Sequence, residues 1–313
     1  MQDNSKRIKD GMFMVALFTI LLTVSIYLPL VGGLTALFIP LPIILFRLRY
    51  DRNASLLILG ISVLLSTLVG GVLLVPFALI LGAIGFIIGD TVSLKKTKLY
   101  TFMATGLTLL LSLVLTYVSA VLLFGVNVID EMTSGLQKTQ EFISTTLVEY
   151  GELPENFQSQ MDEVIAFYEL AIPSFIIIVS FSLAFLIVVI NLFVVKRFGY
   201  NPPRFPLFRN MKLPVVLLWC YLVVMLLPLL AAPAEGSTME LTVVNASVIL
   251  RFLFFIQGIS FLHYYLNEVK LPKWLIVIST VVAILLSQLT VLLGVLDVGM
   301  NIRTWIGRNK TRR

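Results

Sequence analysis

Charge, cysteine and histidine are scarce in this 313-residue chain: 13% of its residues are charged, one is cysteine (Cys220) and one is histidine (His263). A disulfide framework needs at least two thiols and a zinc site three or four Cys/His ligands, so both are excluded and no metal is expected. No Gly-x-x-x-x-Gly-Lys-Ser/Thr loop, Gly-x-Ser-x-Gly elbow or His-Glu-x-x-His helix occurs, and no pair of carboxylates lies inside an apolar run. P-loop ATP hydrolysis and the common hydrolytic chemistries therefore lose their machinery; the chain is read as a non-enzyme without a cofactor.

What the chain has in abundance is apolar surface. Its residues are 58% hydrophobic, against roughly half in soluble domains, which also carry about a quarter charged residues. The partner this composition requires is a lipid bilayer. A net charge of +6 would suggest nucleic acid in a soluble protein. Here the basic residues cluster between long apolar runs, the pattern that encodes membrane orientation, and no nucleic acid is expected.

A bilayer core of about 30 Å needs about 20 helical residues. Runs of that kind occupy 11–28, 54–70, 72–88, 99–124, 172–195, 213–232, 243–265 and 274–296. The first continues without a small-residue cleavage site and reads as a retained span. A ninth candidate, 34–46 (LTALFIPLPIILF), would reach only about 20 Å as a helix and carries Pro40 and Pro42, so it is expected to be short or broken. If it crosses, Lys6, Arg7 and Lys9, Arg47, Arg49 and Arg52, Lys95, Lys96 and Lys98, Lys196 to Lys212, and Lys270 with Lys273 all fall on one side, the cytoplasm. Nine crossings would then leave Arg303, Arg308, Lys310, Arg312 and Arg313 outside, against the rule. Either the last segment is re-entrant, an earlier one does not cross, or the tail is an exception.

The interval 126–171 holds nine of the seventeen acidic residues. Ile129, Met132, Leu136, Ile143 and Leu147 form one helical stripe and Phe157, Met161, Val164, Ile165 and Tyr168 another, with Gly151 and Pro154 between them. The expected fold is all-α, a polytopic membrane helix bundle of eight or nine hydrophobic segments with one short broken segment and an extracytoplasmic amphipathic helical hairpin. Its parts are an N-terminal membrane bundle (1–125), the acidic hairpin (126–171), C-terminal membrane helices (172–296) and a basic tail (297–313). The location is a bacterial cell membrane, with a cytoplasmic amino terminus.

Within the spans, Ala78, Gly82, Gly85 and Gly89, and likewise Ser62, Ser66 and Gly70, recur at helical spacing and give thin faces for helix packing. Thr101, Thr105, Thr108, Ser112, Thr116 and Ser119 make a hydroxyl stripe along 99–124. It either bonds back to its own carbonyls and packs, or lines a polar cavity. Arg251 is the most costly residue, a charge inside an apolar helix, with Ser247 one turn before it. It binds an anionic group, pairs with carbonyls freed near Pro40, or snorkels to the interface. Gln257 and His263 read as interhelical hydrogen-bonding groups rather than proton carriers.

The PLP of IPLPIILFRLRYDRNA, the glycine-rich stretch ending GFIIGD, LRFLFFIQGISFLHYYL and LLGVLDVGMNIR resemble the YybS-like family of bacterial membrane proteins over nearly the whole chain. The first five or six spans are also similar to the substrate-binding S components of energy-coupling-factor transporters. That resemblance implies a small-molecule site built from membrane helices. The S-component Ala-x-x-x-Ala docking pattern is not kept, because Ala16 is followed four residues on by Ile20. Two functions stay open. The first is binding or transport of a small-molecule solute in a cavity walled by the hydroxyl stripe, the segment around Pro40 and Pro42, and Arg251 with Ser247. The second is an accessory or scaffold role, in which the acidic hairpin and basic loops bind a membrane-protein partner.

Overall fold

The computed structural model describes residues 2–151, 156–203, 205–231, 233–234 and 236–310. Glu152, Pro154, Glu155, Arg204, Arg312 and Arg313 lie outside them. The described elements are helical, with no strand among them: α1 (Gln2–Tyr27), α2 (Pro29–Ala36), α3 (Leu41–Arg49), α4 (Arg52–Gly70), α5 (Val75–Ser93), α6 (Lys98–Phe124), α7 (Val128–Tyr150), α8 (Phe157–Arg197), α9 (Val215–Ala231), α10 (Thr238–Glu268), α11 (Lys273–Leu285), α12 (Ser287–Met300) and α13 (Ile302–Lys310). Seven stretches among the described residues are long and apolar enough to cross a membrane: α1, α2 with α3 (Val31–Arg49), α4, α5 with the turn before it (Val72–Ser93), α6, α8 and α10. Polar side chains start several of them. Asp51 caps α4 by accepting from the Ala54 amide at 3.1 Å, and Thr97 caps α6 by accepting from the Tyr100 amide at 3.2 Å. The chain folds as two compact units, one of residues 1–129 and 179–205, the other of 130–178 and 206–313. The units thus follow contacts rather than the order of the four sequence segments, and α8 contributes to both.

In the first unit, Phe18, Leu22, Ile43, Ile44, Phe46, Ile84 and Ile88 are buried in one core. The proline-bearing segment is broken as expected: α2 ends at Ala36 and α3 begins at Leu41. Two prolines without an amide hydrogen make a continuous ladder impossible here. The Leu37 carbonyl within the break accepts from Asn191 Nδ2 of α8 at 2.8 Å. Helix α5 then lies close against α3. A Cβ on Gly85 would stand 2.6 Å from the Pro40 carbonyl oxygen, and one on Gly89 2.8 Å from the Arg47 Cβ. That closeness brings Arg47 and Asp90 together, with Nε and Nη2 donating to Oδ1 at 3.0 and 2.8 Å.

In the second unit, α7 and the start of α8 form the acidic hairpin, joined across by Gln140 Nε2 donating to Asp162 Oδ1 at 3.1 Å. Helix α8 carries Pro173 inside it, which disrupts the local ladder. Asn245 of α10 repairs the gap: its Oδ1 accepts from the Ser174 amide and its Nδ2 donates to the Leu170 carbonyl, both at 2.8 Å.

The run 274–296, which sequence allows as a ninth crossing, is two short helices. α11 and α12 meet at an angle of 107° around Leu286. Their 13 and 14 residues would each reach only about 20 Å, too short to cross alone. α11 begins directly after α10, and the far end of α12 is fastened to α10 at Gln257, within the helix: Asp297 accepts from Gln257 Nε2 at 2.5 Å and from Arg303 Nε at 2.9 Å. Arg303 Nη1 also donates to the Arg209 carbonyl at 2.7 Å, and Lys212 to Asn301 Oδ1 at 2.5 Å. A pair bent this sharply is a broken span or a re-entrant loop, and the described start of the tail sits with the 206–213 loop.

Helix α12 approaches α10 through two glycines. A Cβ on Gly258 would collide with the Thr290 carbonyl oxygen, and one on Gly294 with that of Phe254. Only residues without a side chain permit this crossing.

Candidate functional site

The expected site residues divide between the two units. Pro40, Pro42, Thr105, Thr108 and Ser112 belong to the first; Ser247 and Arg251 belong to the second.

In the first unit Thr105 is buried and donates to the Thr101 carbonyl, while half-buried Thr108 donates to that of Ala104, both at 2.8 Å. Their hydroxyls are thus used within α6. Gly106 on the same helix packs against the Phe181 ring, and half-buried Ser112 lines neither of the two cavities described for this protein. Pro40 and Pro42 are buried at the α2–α3 break. The thin-face residues divide as well. Ala78, Gly82, Gly85, Gly89, Ser62 and Ser66 are buried, and Gly82 faces Leu59 of α4. Gly70 is exposed and meets only Leu74, because the chain turns at Gly71 (φ +71°) before reaching another helix.

Asn191 went unnoticed in the sequence although it is fully buried at the break. Its Oδ1 and the Ser62 hydroxyl have no hydrogen-bond partner among the described residues. The one available signal was an amide inside the apolar run FLIVVINLFVV.

In the second unit Arg251 lines an open-sided cleft of about 570 Å³, with Arg251, Ser287, Gln288 and Leu292 exposed along it. Three elements build it: Tyr221 from α9, Arg251, Phe252 and Phe255 from α10, and Ser287, Gln288, Val291 and Leu292 from α12. Ser287 and Gln288 open α12 at the 107° bend, so the break in the last hydrophobic run faces Arg251. Ser247 is half-buried one turn away and does not reach the cavity wall.

Depth decides what Arg251 can do. It stands two residues from the middle of the 31-residue α10, about 3 Å along the axis. It is exposed, and the polar 206–213 loop meets the same helix six residues on, about 9 Å along the axis, where Gln257 Oε1 accepts from the Leu213 amide at 3.0 Å. A guanidinium at the centre of a bilayer would cost on the order of 3 kcal/mol even on the lenient insertion scales. Its one described hydrogen-bond contact is Nη2 to the Met225 sulfur at 3.9 Å, a weak acceptor at long range. The five ion pairs among the described residues all involve other arginines. His263 fulfils the interhelical role expected of it, with Nε2 2.8 Å from the Thr280 hydroxyl of α11.

Comparison with known proteins agrees with the helical, multi-pass architecture. Residues 16–298 match the family described as "Predicted membrane protein (DUF2232)". The chain is 26% identical over 307 residues, 96% of its own length and 98% of the relative's, to "Uncharacterized protein YybS" of Bacillus subtilis (strain 168). No solved structure matches. With the family match running through nearly all the hydrophobic segments, this chain belongs to the DUF2232 family of membrane proteins, the family of its Bacillus relative YybS.

Proposed function

We propose that this protein binds or transports a small solute, and that the solute site is the cavity between α9, α10 and the bent α11–α12 pair. The observation that carries this is a broken hydrophobic run facing a charge at mid-helix depth. Irregular backbone inside a membrane is tolerated where it is covered by protein or lines a cavity, and broken helices of this kind build the substrate sites of secondary transporters. Arg251 and the Ser287–Gln288 bend meet at such a cavity.

The accompanying topology has eight crossings, α1, α2 with α3, α4, α5, α6, α8, α9 and α10, followed by the re-entrant α11–α12 pair. An even number returns the tail to the side of the amino terminus, so all the basic loops and the tail share the cytoplasm. This removes the conflict that nine crossings create.

The test is identification by mass spectrometry of small molecules that co-purify with the protein in uncharged detergent. A non-lipid solute should be retained at about one per chain by the wild type. Val291→Trp, which fills the cavity, should retain none at an unchanged yield of monodisperse protein. Detection of no non-lipid molecule above the level carried by an unrelated membrane protein would overturn the proposal.

A further inference from the structure

We infer that the cavity takes an amphiphilic anion, with a carboxylate or phosphate head on Arg251 and an apolar body along Phe252, Phe255 and Val291. This deepens the small-solute proposal and rests on the same cavity. A guanidinium on an apolar stretch of α10 is costly without a counter-charge; Arg251 is exposed on the cleft, and its one described hydrogen-bond contact is the Met225 sulfur. The contrast within the same unit is instructive. Arg303 is met by Asp297 at 2.8 Å, a carboxylate supplied by the chain itself. No described ion pair does this for Arg251, so its anion comes from outside the chain.

The head-group class follows from geometry. A guanidinium presents a planar fork of donors that suits two oxygens of one carboxylate or phosphate. Ser287 and Gln288 on the same wall offer hydroxyl and amide hydrogens to remaining oxygens, and Tyr221 a third side-chain donor. The rest of the lining is hydrocarbon or aromatic. A fully hydrated inorganic ion would leave that surface unused, whereas an anion with an apolar body of modest size fills it. Such a head could be the phosphate of a membrane lipid with only part of one chain in the cavity, or a free amphiphile held whole.

The probe is hexyl phosphate, titrated by calorimetry against the full-length protein in uncharged maltoside, with hexanol as its neutral counterpart. Wild-type protein should bind hexyl phosphate saturably at one per chain and hexanol not measurably. Arg251→Gln should weaken hexyl phosphate by about ten- to a hundredfold, the usual worth of hydrogen bonds to a charged group. Arg251→Lys, which keeps the charge and loses the fork, should fall between. Should Arg251→Gln fail to give monodisperse protein, Arg251→Lys and Gln288→Leu carry the same comparison.

Native mass spectrometry separates the sources. Phospholipid retained by wild type and lost from Arg251→Gln assigns the head to a lipid; retention of a non-lipid anion with the same dependence assigns it to a free solute. Equal hexyl phosphate affinity in wild type and the Arg251 variants, or no saturable binding to wild type, overturns the inference. Retention of a neutral solute by both proteins would overturn it while leaving the small-solute proposal intact. Retention of phospholipid alone would do the reverse.

Discussion

Three arginines illustrate how this chain handles charge. Arg47 and Arg303 are largely buried, and each is matched by a carboxylate that is also buried, Asp90 and Asp297. Arg251 is matched by none among the described ion pairs. A buried pair contributes little net stability, yet removing one partner leaves an uncompensated charge and costs about 3–5 kcal/mol. Asp90→Ala is therefore expected to lower the thermal midpoint in detergent sharply. The double replacement Arg47→Met with Asp90→Leu should cost less than Asp90→Ala alone. Thermal denaturation of the wild type and the two variants checks this, and a double variant less stable than Asp90→Ala would contradict it. None of these pairings could be read from sequence. Arg47 and Asp90 are 43 positions apart, and each taken alone looks like an ordinary charge at a span end.

At the scale of elements, hydrophobic length made most helices legible, because a lipid core demands about 20 apolar residues whatever the fold. The break at Pro40 and Pro42 was equally open to reading, since the chemistry of proline forces it. The bend at Leu286 was not. Neither proline nor glycine marks it, and the polar pair Ser287–Gln288 inside an apolar run was the sole local sign. The bend is tied to tertiary contacts: Gly258 and Gly294 let α12 cross α10 with backbone against backbone, and Thr290 donates its hydroxyl to the Ala283 carbonyl across the bend at 2.8 Å. The hydroxyl stripe of α6 shows the opposite limit. Its spacing was plain, but whether Thr105 and Thr108 bond inward or face a cavity depends on neighbours that sequence does not specify.

Gly294→Ala should destabilise by about 1–3 kcal/mol, because the obstructing atom is a carbonyl oxygen that no rotamer can move aside. Gly60→Ala on α4, where a Cβ meets nothing within 4 Å, should be neutral or mildly stabilising. Midpoints measured side by side decide it, and equal effects of the two substitutions would show that the glycine crossing carries no packing role.

For the whole molecule, connectivity and charge agree once the last run is re-entrant. The basic clusters then share one side, the tail included, and the bend reaches the level of Arg251 on α10, where the cavity lies. The proposed topology depends on that re-entry, because the same bent pair crossing as one broken span would put the tail on the opposite side. The direct measurement is cysteine accessibility in a Cys220→Ser background, using an impermeant maleimide on intact cells and again after permeabilisation. Gln140→Cys on α7 should label in intact cells, while Lys96→Cys and Thr304→Cys should label only after permeabilisation. Labelling of Thr304→Cys in intact cells together with Gln140→Cys would mean that 274–296 crosses the membrane, and would contradict the account.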